Sequence, residues 1–224
     1  MKVIGIETSG KTGSVGAAWE GGSRERPFPG GTSHGRDLAP ALSALLSDLG
    51  WRIGDVDLLA VSLGPGSYTG LRIGTAFAKA LAFSAGKPLV GVPSFEAMVR
   101  RAPGARGPVV PVLDAHWGQM YASVFVREEG KWARLMEDRV GPPGEVIDAL
   151  PEGALFFGTG ASVFGKALEG RGTVSPPGPW DRVSAAEVAE AGRERFLEGG
   201  PDDPDRLHPI YLRPSQAEAK RGNE

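Results

Sequence analysis

Two carboxylates stand where chemistry could begin. Glu7 closes the apolar run VIGIE, and Asp114 closes VVPVLD; each is followed by a short polar turn and a second apolar run. A carboxylate at a strand end can hold a metal or orient an attacking water. The same position also suits a turn residue that accepts a neighbouring N–H and does nothing else. The two acids lie 107 residues apart. The pattern therefore occurs once in each half of the chain and suggests two lobes of similar build.

Other constellations are weaker. GIETSGKT, residues 5–12, matches the phosphate-loop spelling G-x-x-x-x-G-K-[ST]. That loop works by feeding a helix whose N-terminus holds the phosphates. Here Lys11 and Thr12 lead into GSVGAAWE, which alternates as a strand, so a hairpin turn is expected instead. The histidines, at 34, 116 and 208, are too far apart to share a helical turn, and no metal site is expected from them. Ser9, Ser67 and Ser94 lack the G-x-S-x-G setting of a hydrolase nucleophile. Without cysteine there is no disulfide framework, thiolate metal site or cysteine nucleophile. Lys+Arg 25 against Asp+Glu 27 leaves a net charge of −2, a balance unsuited to gripping nucleic acid unaided.

The elements that must position these residues read as α/β. KVIGIET and SVGAAWE form an opening hairpin, and residues 20–35 a loop. From about Asp37, leucines at 38, 42, 45, 46 and 49 recur at helical spacing, with Pro40 in the first turn and Gly50 as the stop. DLLAVSLG is a buried strand, LRIGTAFAKALAFSAG a helix ended by Gly86, PLVGV a strand and SFEAMVRRA a short helix. Residues 104–108, GARGP, read as a linker. VVPVLDAHWGQMYASVFV is a second hairpin, and ALFFGTGA a strand entering a glycine turn and a helix. Ser184 and Glu187 spell a capping box for a last helix that Gly199 stops. The polar residues from about Ser215 read as a frayed tail. No run of about 18 apolar residues exists, and the start lacks a signal peptide's long apolar stretch; a soluble, cytoplasmic chain without membrane contact is expected.

LGPGSYTGLRIG, residues 63–74, is the most unusual stretch. Gly70, Gly74 and Ala78 form a small stripe suited to close backbone approach. Ile73, Phe77 and Leu81 form a separate bulky stripe on the same helix. A helix apolar on two sides should be covered on two sides, either within its own lobe or by another chain.

IETS, H-x-x-x-L-x-P at 34–40, LGPGSYTGLRIGTAFAKALA, GVPSFEAM, VPVLDAHWGQMYASVF and PIYLRPSQAE occur in that order. Together they resemble the TsaB (YeaZ) family over nearly the whole chain. The resemblance implies a shortened, two-lobed actin-like (ASKHA) ATPase fold, divided here into residues 1–103 and 104–224. It implies a role without catalysis or cofactor, as a scaffold for threonylcarbamoyl transfer to the adenosine 3′ of the anticodon in tRNAs that read codons beginning with A. The implied partners are the catalytic paralogue TsaD, the ATPase TsaE and a second copy of the chain, with tRNA reached only through the complex. The TsaD paired-histidine metal motif is missing, since Leu38 stands four residues after His34. Where the family often has arginine after D-A, this chain has His116.

By motif position, the partner interface would lie on helices 37–49 and 69–85, with Leu38, Leu42, Leu45, Leu49, Ile73, Phe77 and Leu81. In an actin-like fold the hairpin turns contact nucleotide phosphates. Glu7, Thr8, Ser9 and Asp114 would then be nucleotide-binding, with Gly158 and Gly160 as a reduced adenine loop. The alternative function is a stand-alone ATPase that uses Glu7 and Asp114.

Overall fold

A computed structural model describes residues 1–28, 34–104 and 107–213. They divide into two units. Among the described residues, the first comprises Met1–Ala97 with Val183–Ile210; the second comprises Met98–Arg182 with residues 211–213.

The first unit is built on a five-stranded sheet. β1 (Val3–Glu7), β2 (Gly13–Trp19) and β3 (Gly22–Phe28) form an antiparallel meander. β4 (Leu58–Gly64) lies parallel to β1 and β5 (Leu89–Pro93) parallel to β4, giving the order β3-β2-β1-β4-β5. β3 replaces part of the loop expected at 20–35. Its sequence GSRERPF carries mixed charge and Pro27, the make-up of an edge strand, which shows no apolar alternation. Residues 29–33 of the expected loop, 105–106 of the linker and the tail from 214 lie outside the described residues.

α1 (His34–Leu49) and α2 (Tyr68–Ala85) cover one face of this sheet, and α3 (Ser94–Val99) follows β5. Ile4, Ile6, Val15, Leu59 and Val61 from the strands meet Leu38, Leu42, Leu45 and Ala78 from the helices. α1 begins three residues before Asp37, so Pro40 lies in its second turn rather than its first. Pro40 has no N–H to donate to the preceding turn, and it sits on the exposed side of the helix.

The second unit repeats this plan. β6 (Val109–His116), β7 (Gln119–Glu128) and β8 (Lys131–Gly141) form a meander. α4 (Pro143–Asp148), β9 (Ala154–Phe157), α5 (Thr159–Leu168) and β10 (Gly172–Val174) follow. The order β10-β9-β6-β7-β8 is that of the first sheet read from the opposite edge. β9 is parallel to β6, as β4 is to β1.

α6 (Ala185–Gly199) departs from the expected division at 103/104. It packs on the first sheet, not the second. A Cβ on Gly5 would stand 2.0 Å from the Ala185 carbonyl oxygen, and one on Gly16 would stand 2.3 Å from the Ala186 nitrogen. Two strand glycines therefore let the helix backbone rest directly on β1 and β2. Val188 and Ala189 then join Val3, Leu58, Ala60 and Val92 in a core on this second face. The Ser184 side chain makes no capping bond. The Ala185 N–H instead donates to Ser14 Oγ at 3.2 Å and to Glu25 Oε1 at 2.9 Å. The cap comes from the sheet because the helix end is pressed against it. The residue that stops the helix is Gly200 (φ 78°), and Gly199 is its last turn's final residue.

Gly5→Ala and Gly16→Ala should each lower unfolding free energy by about 3 kcal/mol, the upper part of the usual overpacking range. Gly10→Ala, whose new methyl would have nothing nearer than 3.5 Å, should be close to neutral. Urea denaturation of the three variants checks this.

Candidate functional site

The turn after β1 is held from three directions. Ser9 donates to Glu7 Oε1 through its N–H and, at 2.5 Å, through its hydroxyl. The Thr8 hydroxyl donates to the Gly70 carbonyl at 2.7 Å, and the Ser67 N–H to the Ser9 carbonyl at 2.7 Å. The Gly10 carbonyl lies 3.2 Å from His34 Nε2.

α2 is shaped to this turn. Ser67 caps it, its hydroxyl accepting the Gly70 N–H at 3.2 Å. A Cβ on Gly70 would lie 1.9 Å from the Thr8 carbonyl oxygen, and one on Gly74 would lie 2.2 Å from Thr8 Oγ1. The small stripe of α2 is thus the seat of the Glu7–Ser9 turn, and IETS and GPGSYTGLRIG are two halves of one contact. Glu7, Thr8 and Ser9 are 1%, 1% and 5% exposed. Their hydroxyls and the Ser9 N–H are already engaged within the chain.

Burial pushes the Glu7 carboxyl above its ordinary value of 4.5. The Ser9 and Ser62 hydroxyls and the Ser9 and Gly10 backbone pull against that rise without cancelling it. Glu7 Oε2 is buried and lies outside the bonds that Ser9 makes to Oε1. Ser62 Oγ lies 2.8 Å from Ser94 Oγ, a buried pair that nothing in the sequence marks.

In the second unit Asp114 plays the part Glu7 plays in the first. Its Oδ1 accepts the N–H of the residue two places on, His116, at 2.8 Å, and its Oδ2 lies 3.3 Å from His116 Nδ1. A Cβ on Gly158 would lie 2.4 Å from the Val112 carbonyl oxygen, and one on Gly160 would lie 2.6 Å from Val112 Cγ1. These glycines seat α5 on β6, as Gly70 seats α2 on β1. The Gly158 N–H is occupied by Asp181 Oδ1 at 3.0 Å. Sequence reasoning missed Asp181, which lies in a proline-rich loop with no signature. Among the described residues, no group of three or more His, Asp or Glu is placed to hold a metal.

The expected partner-facing residues divide. Leu38, Leu42 and Leu45 are buried in the core of their own unit and offer no outer surface. The cause is the sheet beneath α1, against which these three leucines pack. Leu49, Ile73, Phe77 and Leu81 are half-buried against the same core. The outward face of α2 instead carries Arg72, Ala76, Ala80 and Phe83, the last 92% exposed.

Residues 27–167 match the family model described as TsaD, tRNA N6-adenosine threonylcarbamoyltransferase. The tRNA threonylcarbamoyladenosine biosynthesis protein TsaB of Bacillus subtilis is 30% identical over 198 residues, which span 84% of this chain and 83% of that protein. This chain belongs to the TsaB family. The TsaB of Escherichia coli is 28% identical over 222 residues, 95% of each chain. The solved structure of YeaZ from Pseudomonas aeruginosa superposes with a TM-score of 0.80 at 23% identity, covering 94% of this chain and 99% of that one. The fold is the shortened actin-like ATPase fold. Membership in the TsaB family gives the chain a role in tRNA threonylcarbamoyladenosine biosynthesis.

The raised Glu7 carboxyl has a thermodynamic consequence. The folded chain keeps this proton at pH values where the unfolded chain has released it. The stability it confers is full below 4.5 and is lost as pH rises through the folded value. Relative to Glu7→Gln, the native chain should therefore lose stability as pH rises from 4.5, with a slope of at most about 1.4 kcal/mol per pH unit. Parallel stability–pH curves for the two proteins would contradict this.

Proposed function

We propose that this chain acts in threonylcarbamoyl transfer as a non-catalytic subunit. In this reading it supports TsaD as the catalytic partner, TsaE joins that assembly, and a second copy of the chain takes the TsaD surface when the chain is alone. The tRNA is engaged through the complex.

The observation that carries the reading is the outer face of α2. Phe83 is 92% exposed, and Ala76 and Ala80 are exposed between it and the start of the helix. In helical projection this face borders the half-buried Ile73 and Phe77. Small residues beside large apolar ones allow another helix to approach closely and cover them. α1 touches α2 and presents Ala39 and Ser43 outward, extending the same kind of surface.

The inner turns support a role without catalysis. The Thr8 and Ser9 hydroxyls and the Ser9 N–H, donors that could have met a phosphate, are spent on bracing the Glu7–Ser9 turn against α2. The rival reading, an ATPase built on Glu7 and Asp114, has to share both acids with hydrogen bonds that shape their own hairpins.

Phe77→Asp is a poor probe, because Phe77 packs on the core of its own unit. Phe83→Asp should leave the unfolding transition within about 0.5 kcal/mol and weaken association with TsaD roughly tenfold or more. In a reconstitution with tRNA, threonine, bicarbonate, ATP, the adenylate-forming enzyme, TsaD and TsaE, modification should require this chain. It should survive Glu7→Gln and Asp114→Asn. Equal modification without the chain would sink the proposal. Loss of turnover in either acid variant, with assembly intact, would favour the ATPase.

A further inference from the structure

The β6–β7 hairpin turns through three consecutive left-handed residues, His116 (φ 62°), Trp117 (φ 53°) and Gly118 (φ 72°). Glycine adopts this conformation freely, whereas histidine and tryptophan adopt it at a cost. The outcome of that cost is a tryptophan held in solvent, 66% exposed. Strained backbone that holds a large apolar ring in water points to function, because neither feature stabilises the fold.

Arg213 reaches this tip from near the end of the described chain. Its Nη1 donates to the Ala115 carbonyl at 2.5 Å, and its guanidinium carbon lies 5.0 Å from the centre of the Trp117 ring. The cation fixes the ring from one side and leaves the rest of it open. The His116 side chain is 62% exposed and rests 3.3 Å from Asp114. The residues beside Trp117 along the chain are His116, Gly118 and Gln119. A protein-binding hot spot sits in a well-packed apolar patch. A stacked base needs only one open ring face and a nearby cation for its phosphate.

We infer that the β6–β7 tip is a stacking site for a phosphate-bearing nucleobase, with Trp117 as the platform and Arg213 as the cation that orients it. The base belongs either to a free nucleotide or to an unpaired stretch of RNA. The inference goes beyond the scaffold reading and does not require it. The test uses the isolated chain, so failure of one leaves the other standing.

The chain has five tryptophans, whose indole N–H signals can be assigned by substitution and followed by NMR. Full-length protein is titrated separately with AMP, with an RNA stem-loop carrying an unpaired loop, and with the matching loop-free duplex. The Trp117 signal should shift and saturate with AMP, with the stem-loop, or with both. Response to AMP assigns the site to nucleotides generally, and response to the stem-loop alone assigns it to unpaired RNA. Trp117→Gly relieves the left-handed strain, so it should melt no lower than the native chain while binding about tenfold more weakly or worse. Trp117→Phe should retain part of the affinity. The inference is overturned if neither probe moves Trp117, if duplex binds as well as stem-loop without AMP responding, or if Trp117→Gly binds like the native chain. A Trp117 signal that moves only on addition of TsaD overturns it too.

Discussion

The place where a side chain on Gly70 would sit is filled by the carbonyl oxygen of Thr8, 1.9 Å from the position of the absent Cβ. Much of the first unit follows from that approach. It brings the start of α2 onto the end of β1 and lets the Thr8 hydroxyl bond the Gly70 carbonyl. It also fixes which residues of α2 turn inward. Once Gly70, Gly74 and Ala78 are committed to the sheet, Ile73 and Phe77 lie at the margin and Ala76, Ala80 and Phe83 face out. The outward surface of α2 is the remainder left by an internal packing constraint. The second unit uses the same device, with Gly158 and Gly160 lowering α5 onto Val112 and Leu113 of β6.

The acids acquire their meaning from the same geometry. A helix seated this low leaves the preceding hairpin little room, and each hairpin is tied back by a carboxylate accepting the N–H two residues on. Glu7 does so in full burial, where a charged carboxylate is costly and the carboxyl is pushed above its ordinary value. Asp114 does so near the surface, where it can also meet His116. One motif thus yields a structural brace in one unit and a poised, partly exposed pair in the other. Strand order alone would not distinguish them, because the difference lies in what covers each turn.

Much of this was legible in the sequence. Period-two runs gave both hairpins, and the glycine punctuation of residues 63–74 gave α2 and its close contact. The readings that failed did so for physical reasons. β3 is an edge strand with Pro27 and mixed charge, so its apolar alternation is absent. Leu38, Leu42 and Leu45 have the spacing of an interface stripe, but a stripe reads the same whether its cover is the chain's own sheet or another chain. The Ser184 side chain makes no capping bond although the spelling is right, and the sheet instead serves the Ala185 N–H through Ser14 and Glu25. Trp117 was visible only as part of a motif. Its exposure depends on three left-handed residues in a row, which composition does not encode.

The last helix bears on how such a chain can be assembled. α6 follows the whole second unit in sequence, yet it closes one face of the first. Val3, Ala18, Leu58, Ala60 and Val92 remain without their helical cover until residues 185–199 exist. The glycines at 5 and 16 ensure that no other element substitutes easily, since the groove they leave fits a backbone at close range. The first sheet is therefore completed by contacts of long sequence separation, the kind whose loop-closure cost precedes their stabilisation. α1 and α2 lie on the opposite face of that same sheet. A sheet lacking α6 has one open apolar face, so the α2 surface is presented on a settled support only after the second unit has been made. Completion of the chain and the support beneath α2 are thereby linked through one sheet and its two faces.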